Sequence, residues 1–178
     1  PSEVKELFER HLAEVEEVEK VGNDTMIDVN ILPDRACYAL SHEGIALELS
    51  LLLSDNSLVV KQVSGIDTGL VTFDAEVVVP ELCDRQIFVK IDYVDNTIET
   101  PKEIKEVLET LGQRSISFLV DLTNYVMFET GQPLHVFDAD LVKGKISVRA
   151  GIDGEKVMTL DNKEVVLDPT ILTIADEE

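Results

Sequence analysis

Apolar residues return every third or fourth position at the start of the chain. Val4, Leu7, Phe8, Leu12, Val15 and Val18 fall on one helical face. This spacing predicts a helix over 3–20, opened by Ser2 and closed by Gly22-Asn23-Asp24. The period then changes to two: Ile27, Val29 and Ile31 alternate with Asp28 and Asn30, the pattern of a half-buried strand. Pro33-Asp34-Arg35 turns the chain into a second helix over 36–53, with Ile45, Leu49, Leu52 and Leu53 inward, and 54–57 is a loop signal. Residues 58–63, 70–79 and 86–94 are rich in Val, Ile, Phe and Tyr and read as strands. A third helix starts at Thr100-Pro101-Lys102-Glu103, with Thr100 as the cap, and runs to Leu111, where Gly112 stops it. A fourth covers 117–130 and ends at Gly131. Short strands follow at 145–150, 155–160, 163–167 and 171–175, with Asp161-Asn162 as a hairpin turn.

This order predicts an α+β fold, mixed or antiparallel sheets with helices packed on them, rather than a regular βαβ winding. The loop signal near 54–57 divides a helix–strand–helix segment, 1–56, from the rest, 57–178. The last strand runs straight into Asp176-Glu177-Glu178, which implies a piece of a longer polypeptide.

Charge narrows the function. Among 178 residues, 15 Lys+Arg face 36 Asp+Glu, a net charge of −21. Phosphate binding is driven by cations, so a broad nucleic-acid platform is disfavoured, as is docking on an anionic membrane. Neither a signal peptide nor an apolar run of membrane-spanning length occurs, and the expected location is the cytosol. Cys37 and Cys83 are read as two buried thiols of a reducing compartment, with a single disulfide left open.

Chemistry-bearing residues are few. No phosphate-binding glycine loop, nucleophile elbow or metal-ligand spacing occurs. Of three histidines, His11 reads as a surface residue and His42 as a packing or capping residue. His135 sits in GQPLHVFD, on an irregular segment stiffened by Pro133. Spacing leaves it open between a structural histidine and one that orients a water or a substrate group. Asp121, Asp138 and Asp140 lie near it in sequence, which means little among so many carboxylates. Asp138 reads as the cap of a turn over 139–142. Thr123 and Asn124 are polar residues in an otherwise apolar helix, so Asn124 either ties down a loop or faces a pocket.

The run VDLTNYVMFETGQPLHVFDADLVKGKISVR, residues 120–149, closely resembles the central region of bacterial phenylalanine–tRNA ligase beta subunits. It joins D-x-T-N-Y-V-M, G-Q-P-L-H-x-F-D and a Lys-Gly-x-Ile-x-Val-Arg strand at the family's spacing. Gly154-Glu155-Lys156 with Thr159-Leu160-Asp161, Leu172 to Asp176, and Leu32-Pro33-Asp34-Arg35 with Leu40 to Ala46 also look like family segments. The first helix looks like the subunit's N-terminal domain. Within that domain many bacterial members carry an inserted oligonucleotide-fold tRNA-binding domain. Here only 22–25 separate the first helix from the next strand, so the insert is expected to be absent.

The resemblance implies the fold of the family's central editing domain over 57–178, incomplete at its C-terminal end, and a beta-subunit N-terminal segment over 1–56. It implies a site that hydrolyses mischarged Tyr-tRNA(Phe), with His135 as the catalytic-site histidine orienting the water or the terminal ribose. Asn124 and Thr123 would be the pocket residues. It implies no cofactor in this section, ATP and Mg being used by the whole ligase. The implied partners are the ligase alpha subunit, which holds the synthetic site, and the acceptor end of tRNA(Phe), in an alpha2–beta2 enzyme. The section by itself is expected to be monomeric and inactive. Two departures stand out. Where the family commonly reads Arg-Pro-Ile-Asn-Asn, this chain has Arg114-Ser115-Ile116-Ser117-Phe118. The family's glycine-rich strand, with a glutamate for the tyrosyl hydroxyl, would follow Glu178. The alternative is therefore a structural module for assembly and tRNA positioning whose editing is lost. A stand-alone hydrolase acting on free mischarged tRNA is disfavoured by the N-terminal segment.

Overall fold

The computed structural model describes residues 2–54, 73–159 and 162–178. In chain order the elements are α1 (Ser2–His11), β1 (Glu14–Val21), β2 (Asp24–Asn30), α2 (Ala36–Ala39), α3 (His42–Leu52), β3 (Ala75–Val77), α4 (Lys102–Thr110), α5 (Phe118–Thr130), β4 (Ile146–Ala150), β5 (Lys156–Met158), β6 (Glu164–Val166) and β7 (Leu172–Ala175). The fold class is α+β, as expected. The described residues fall into two compact units, 2–54 with 95–136, and 73–94 with 137–178. The boundary read at 56/57 and the strand read at 58–63 lie outside the described residues.

In the first unit, α1 buries Phe8 and carries two exposed pairs one turn apart, Lys5 with Glu9 and Glu6 with Arg10. Such pairs contribute a few tenths of a kcal/mol, so the buried Phe8 is what anchors the helix. The helix expected to reach residue 20 ends at His11 and gives way to β1. The competing force is a local hairpin. β1 pairs antiparallel with β2 from Val21↔Asp24 to Glu14↔Asn30, with a bulge between Val15 and Glu17. Gly22, at φ 59°, supplies the left-handed residue that a two-residue turn needs. The β-branched valines at 15, 18 and 21 match a strand as well as a helix, and pairing with β2 decides between them. Gly22-Asn23 is therefore a hairpin turn, not a helix stop.

The single helix read over 36–53 is two. Ser41 adopts an extended backbone, φ −155°, and caps α3 by accepting the Gly44 N–H at 3.0 Å. Its own hydroxyl donates to the Tyr38 carbonyl at 2.8 Å, tying α2 to α3. Leu53 lies past the helix end and is exposed. Further along the unit, α4 packs on α5 and buries Leu108 completely.

In the second unit, β4 is the centre of a three-stranded sheet, with β3 parallel on one side and β7 antiparallel on the other. Val148 of β4 is its buried apolar residue, 1% exposed. β5 and β6 form a separate antiparallel pair. The Arg149 guanidinium grips Glu155 with two bonds of 3.0 and 2.7 Å, fastening β4 to the loop before β5. That contact holds the Glu155 carboxyl below its ordinary range, with the Ile152 N–H adding to it. The strand read at 86–94 is not formed: the segment has no ladder partner among the described residues, and Ile87 is 76% exposed. Its Val, Ile and Tyr content expresses fitness for a half-buried pleated surface, and without a neighbour that fitness builds nothing. Of the strand read at 70–79, 75–77 is formed and 70–72 lie outside the described residues. Both cysteines are free, but neither is buried: Cys37 is exposed and Cys83 half-buried.

Candidate functional site

α5 carries the residues that the sequence singles out. It is an apolar helix, Phe118-Leu119-Val120 and Leu122 onward, interrupted by Asp121, Thr123 and Asn124. At its start the Leu119 N–H donates to the Asn96 carboxamide at 3.4 Å, satisfying one free amide of the first turn. At its end Gly131, φ 77°, takes the left-handed cap position.

Asp121 is the fully buried group of this helix, 0% exposed. Its Oδ2 accepts from the hydroxyls of Thr100 and Ser115, each at 2.6 Å, and its Oδ1 accepts from the Ile116 N–H at 2.9 Å. Burial opposes the charge. The Ser115 and Thr100 hydroxyls, the Ile116 amide and the Lys105 ammonium outweigh it, and the carboxyl is held below its ordinary value. Thr100 is thus not the helix cap that the sequence suggested. The α4 cap position falls on Pro101, and the Thr100 hydroxyl is spent on Asp121.

In the sequence Asp121 is one carboxylate among 36. Its signal is the same as that of Asn124, a polar side chain inside an apolar helix. Asn124 lies three residues further on, hence on the Asp121 face, and is half-buried. Thr123 points about 100° away from Asn124 and about 160° away from Asp121 around the helix, and its hydroxyl donates to the Val120 carbonyl at 2.9 Å. His135 is exposed, on the irregular segment that leaves Gly131. All four residues belong to the first unit.

Other candidates are placed elsewhere. His11 is the exposed last residue of α1 and His42 the exposed first residue of α3. Asp138 and Asp140 belong to the second unit. There Asp138 holds its own turn, accepting the Asp140 N–H on its carboxylate and the Leu141 N–H on its carbonyl, both at 3.0 Å. The departure at 114–118 has a structural counterpart. Ser115 is bonded to Asp121, Ser117 occupies the α5 cap position with extended backbone, and Phe118 begins the helix. Among the described residues no three His, Cys, Asp or Glu side chains converge to hold a metal ion, and no helix is long and apolar enough to cross a membrane.

Comparison with known proteins shows what the chain is similar to. The B3/4 domain family matches residues 82–178. The phenylalanine–tRNA ligase beta subunit of Methylococcus capsulatus is 39% identical over 162 residues, 88% of this chain and 20% of that protein. The corresponding subunit of Neisseria meningitidis serogroup A is 40% identical over 160 residues, 88% of this chain and 20% of its own length. That of Corynebacterium jeikeium is 38% identical over 166 residues, 86% and 19%. The chain spans about a fifth of the length of these curated relatives.

Proposed function

The chain belongs to the B3/4 domain family, and from that premise we propose that it is the section of a phenylalanine–tRNA ligase beta subunit that hydrolyses mischarged Tyr-tRNA(Phe). The observation that carries this reading is the similarity along nearly the whole chain to such subunits, 38–40% identity over 86–88% of its length. The D-L-T-N and P-L-H segments stand on one helix and its C-terminal exit, which supports a common site.

The chemical need is plain. A phenylalanine pocket rejects tyrosine imperfectly, because the two differ by one hydroxyl, and a second site that removes the wrong ester restores accuracy. Water adds to the ester carbonyl carbon, the carbonyl oxygen takes up negative charge, and the bond to the terminal ribose oxygen breaks. The products are free tyrosine and tRNA, with the water's proton ending on the ribose oxygen. In this reading His135 orients the attacking water or the terminal ribose. Asn124 shapes the pocket through its carboxamide. Thr123 has its hydroxyl hydrogen committed to Val120 and offers an oxygen acceptor and a methyl group as wall. The partners are the alpha subunit, where ATP and Mg serve the joining step, and the acceptor end of tRNA(Phe), in a cytoplasmic alpha2–beta2 enzyme.

His135→Ala in the full-length beta subunit, assembled with its alpha subunit, is expected to slow deacylation of Tyr-tRNA(Phe) tenfold or more. That is about 1.4 kcal/mol of transition-state stabilisation, and synthesis of Phe-tRNA(Phe) is expected to be unchanged. Deacylation at the wild-type rate would remove His135 from the site.

A second reading, a module for assembly and tRNA positioning, is favoured by Ser117 and Phe118, where the resembling sequences carry asparagines. It requires that neither wild type nor variant deacylate while synthesis is normal.

A further inference from the structure

Among the described residues one ionisable side chain is fully buried, and the reaction as read above does not use it. Asp121 receives three hydrogen bonds from two separate stretches: Thr100, just before α4, and Ser115 with Ile116, in the connection between α4 and α5. Both carboxylate oxygens are engaged. A short side chain held by both oxygens fixes more than the position of its backbone. It fixes how far α5 is turned about its own axis, and each residue of slip would rotate every side chain by about 100°.

The other end of α5 is set as firmly. A Cβ on Gly131 would lie 3.1 Å from the Leu40 carbonyl oxygen and 3.2 Å from the Ser41 Cβ, so the helix end lies close against the α2–α3 junction. From Gly131 the chain passes through Pro133, whose ring restricts the backbone, to His135. Asn124 lies one turn beyond Asp121 on the same face. Burying a carboxylate is a poor way to gain stability, since an apolar residue of similar size holds a helix in place without the desolvation penalty. What the charge adds is directional fixing.

We propose that Asp121 is a positioning residue of the hydrolytic site, a clamp that fixes the place and rotation of α5 and through it the disposition of Asn124 and His135. The proposal rests on the hydrolytic reading given above.

The test uses the full-length beta subunit assembled with its alpha subunit. Asp121→Asn keeps the volume and one acceptor oxygen. It is expected to lower kcat for Tyr-tRNA(Phe) deacylation about tenfold, with KM and Phe-tRNA(Phe) synthesis within about twofold of wild type. In a background that carries both Asn124→Ala and His135→Ala the same change is expected to slow the remaining deacylation by less than about threefold, because both residues it positions are gone. Ser115→Ala, which removes one donor and leaves the carboxylate, is the milder variant, expected to be about threefold slow. Deacylation untouched by Asp121→Asn overturns the proposal. So does an equal fall in synthesis and deacylation, the mark of general structural damage, and so does a full tenfold loss in the background that lacks both Asn124 and His135 side chains. A wild-type ligase that leaves Tyr-tRNA(Phe) intact overturns the hydrolytic reading and the proposal with it.

Discussion

Gly44→Ala is expected to destabilise the protein by about 2 kcal/mol or more, although alanine is the better helix former. Gly44 sits in the first turn of α3, where its N–H is bonded to the Ser41 hydroxyl. A Cβ there would lie 1.9 Å from the Tyr38 carbonyl oxygen and 2.7 Å from its carbon. The obstructing atoms are backbone, so no side chain can swing aside. Either α2 moves away, which breaks the Ser41–Tyr38 bond and uncovers Ala39, now 2% exposed, or α3 loses its cap. Helix propensity favours alanine by about 1 kcal/mol. Overpacking against an unyielding backbone wall falls at the upper end of the usual range, about 3 kcal/mol, and the steric effect wins. The corresponding fall in Tm is about 4–8 °C for a chain of this size, read by far-UV circular dichroism. An unchanged or higher Tm, which propensity alone would give, would contradict the close approach of α2 and α3.

The second large effect is expected at Gly151, just past β4. Its N–H donates to the Ile171 carbonyl at 2.7 Å, which holds it against the β6–β7 connection. A Cβ would meet the Asp168 carbonyl oxygen at 2.6 Å and the Leu167 Cβ at 3.0 Å. Leu167 is buried, and its N–H and carbonyl are bonded to Glu155 and Gly154 across the loop. Room for a methyl group can come only from opening this junction. Alanine recovers about 0.4–1 kcal/mol by restricting the unfolded chain, less than the crowding costs. A net loss of about 2 kcal/mol corresponds to roughly 30-fold faster hydrogen exchange in the β4–β7 ladder. Exchange at the unmodified rate would contradict the packing described for this junction.

Neither effect could be foreseen from the sequence. A glycine inside a helical pattern says that something approaches closely, but the partner is seven or fewer residues away around a corner for Gly44 and across a hairpin for Gly151. What the sequence did carry was periodic and local. α5 with its Gly131 stop, β2, and the short C-terminal strands follow from spacing and punctuation. The failures arose where two periods fit one stretch, or where pairing outranked propensity. Val15 and Val18 satisfy a helix until β2 is present to pair with them. Ile87, Val89 and Ile91 satisfy a strand although none forms. Ser41 ends one helix and starts the next because its hydroxyl faces both ways, a detail that apolar spacing does not register.

The candidate site divides in the same manner. His135, Asn124 and Thr123 stood out by residue type and by resemblance. Asp121 did not, because a carboxylate in so acidic a chain looks like surface until its three donors are seen. Thr100 misleads for the matching reason. Threonine before Pro101 reads as a cap, whereas its hydroxyl serves a carboxylate 21 residues along the chain.

The proposal stands most directly on what the assembled wild-type ligase does to two esters. Purified Tyr-tRNA(Phe) and Phe-tRNA(Phe) would each be mixed with excess enzyme, in the absence of ATP, and the loss of each ester followed in a single turnover. Rapid release of tyrosine, at least about tenfold faster than release of phenylalanine, is the expected result, about 1.4 kcal/mol of discrimination in favour of the wrong ester. Equal release of both, or persistence of Tyr-tRNA(Phe) while the enzyme still makes Phe-tRNA(Phe), would contradict the hydrolytic function proposed for this chain.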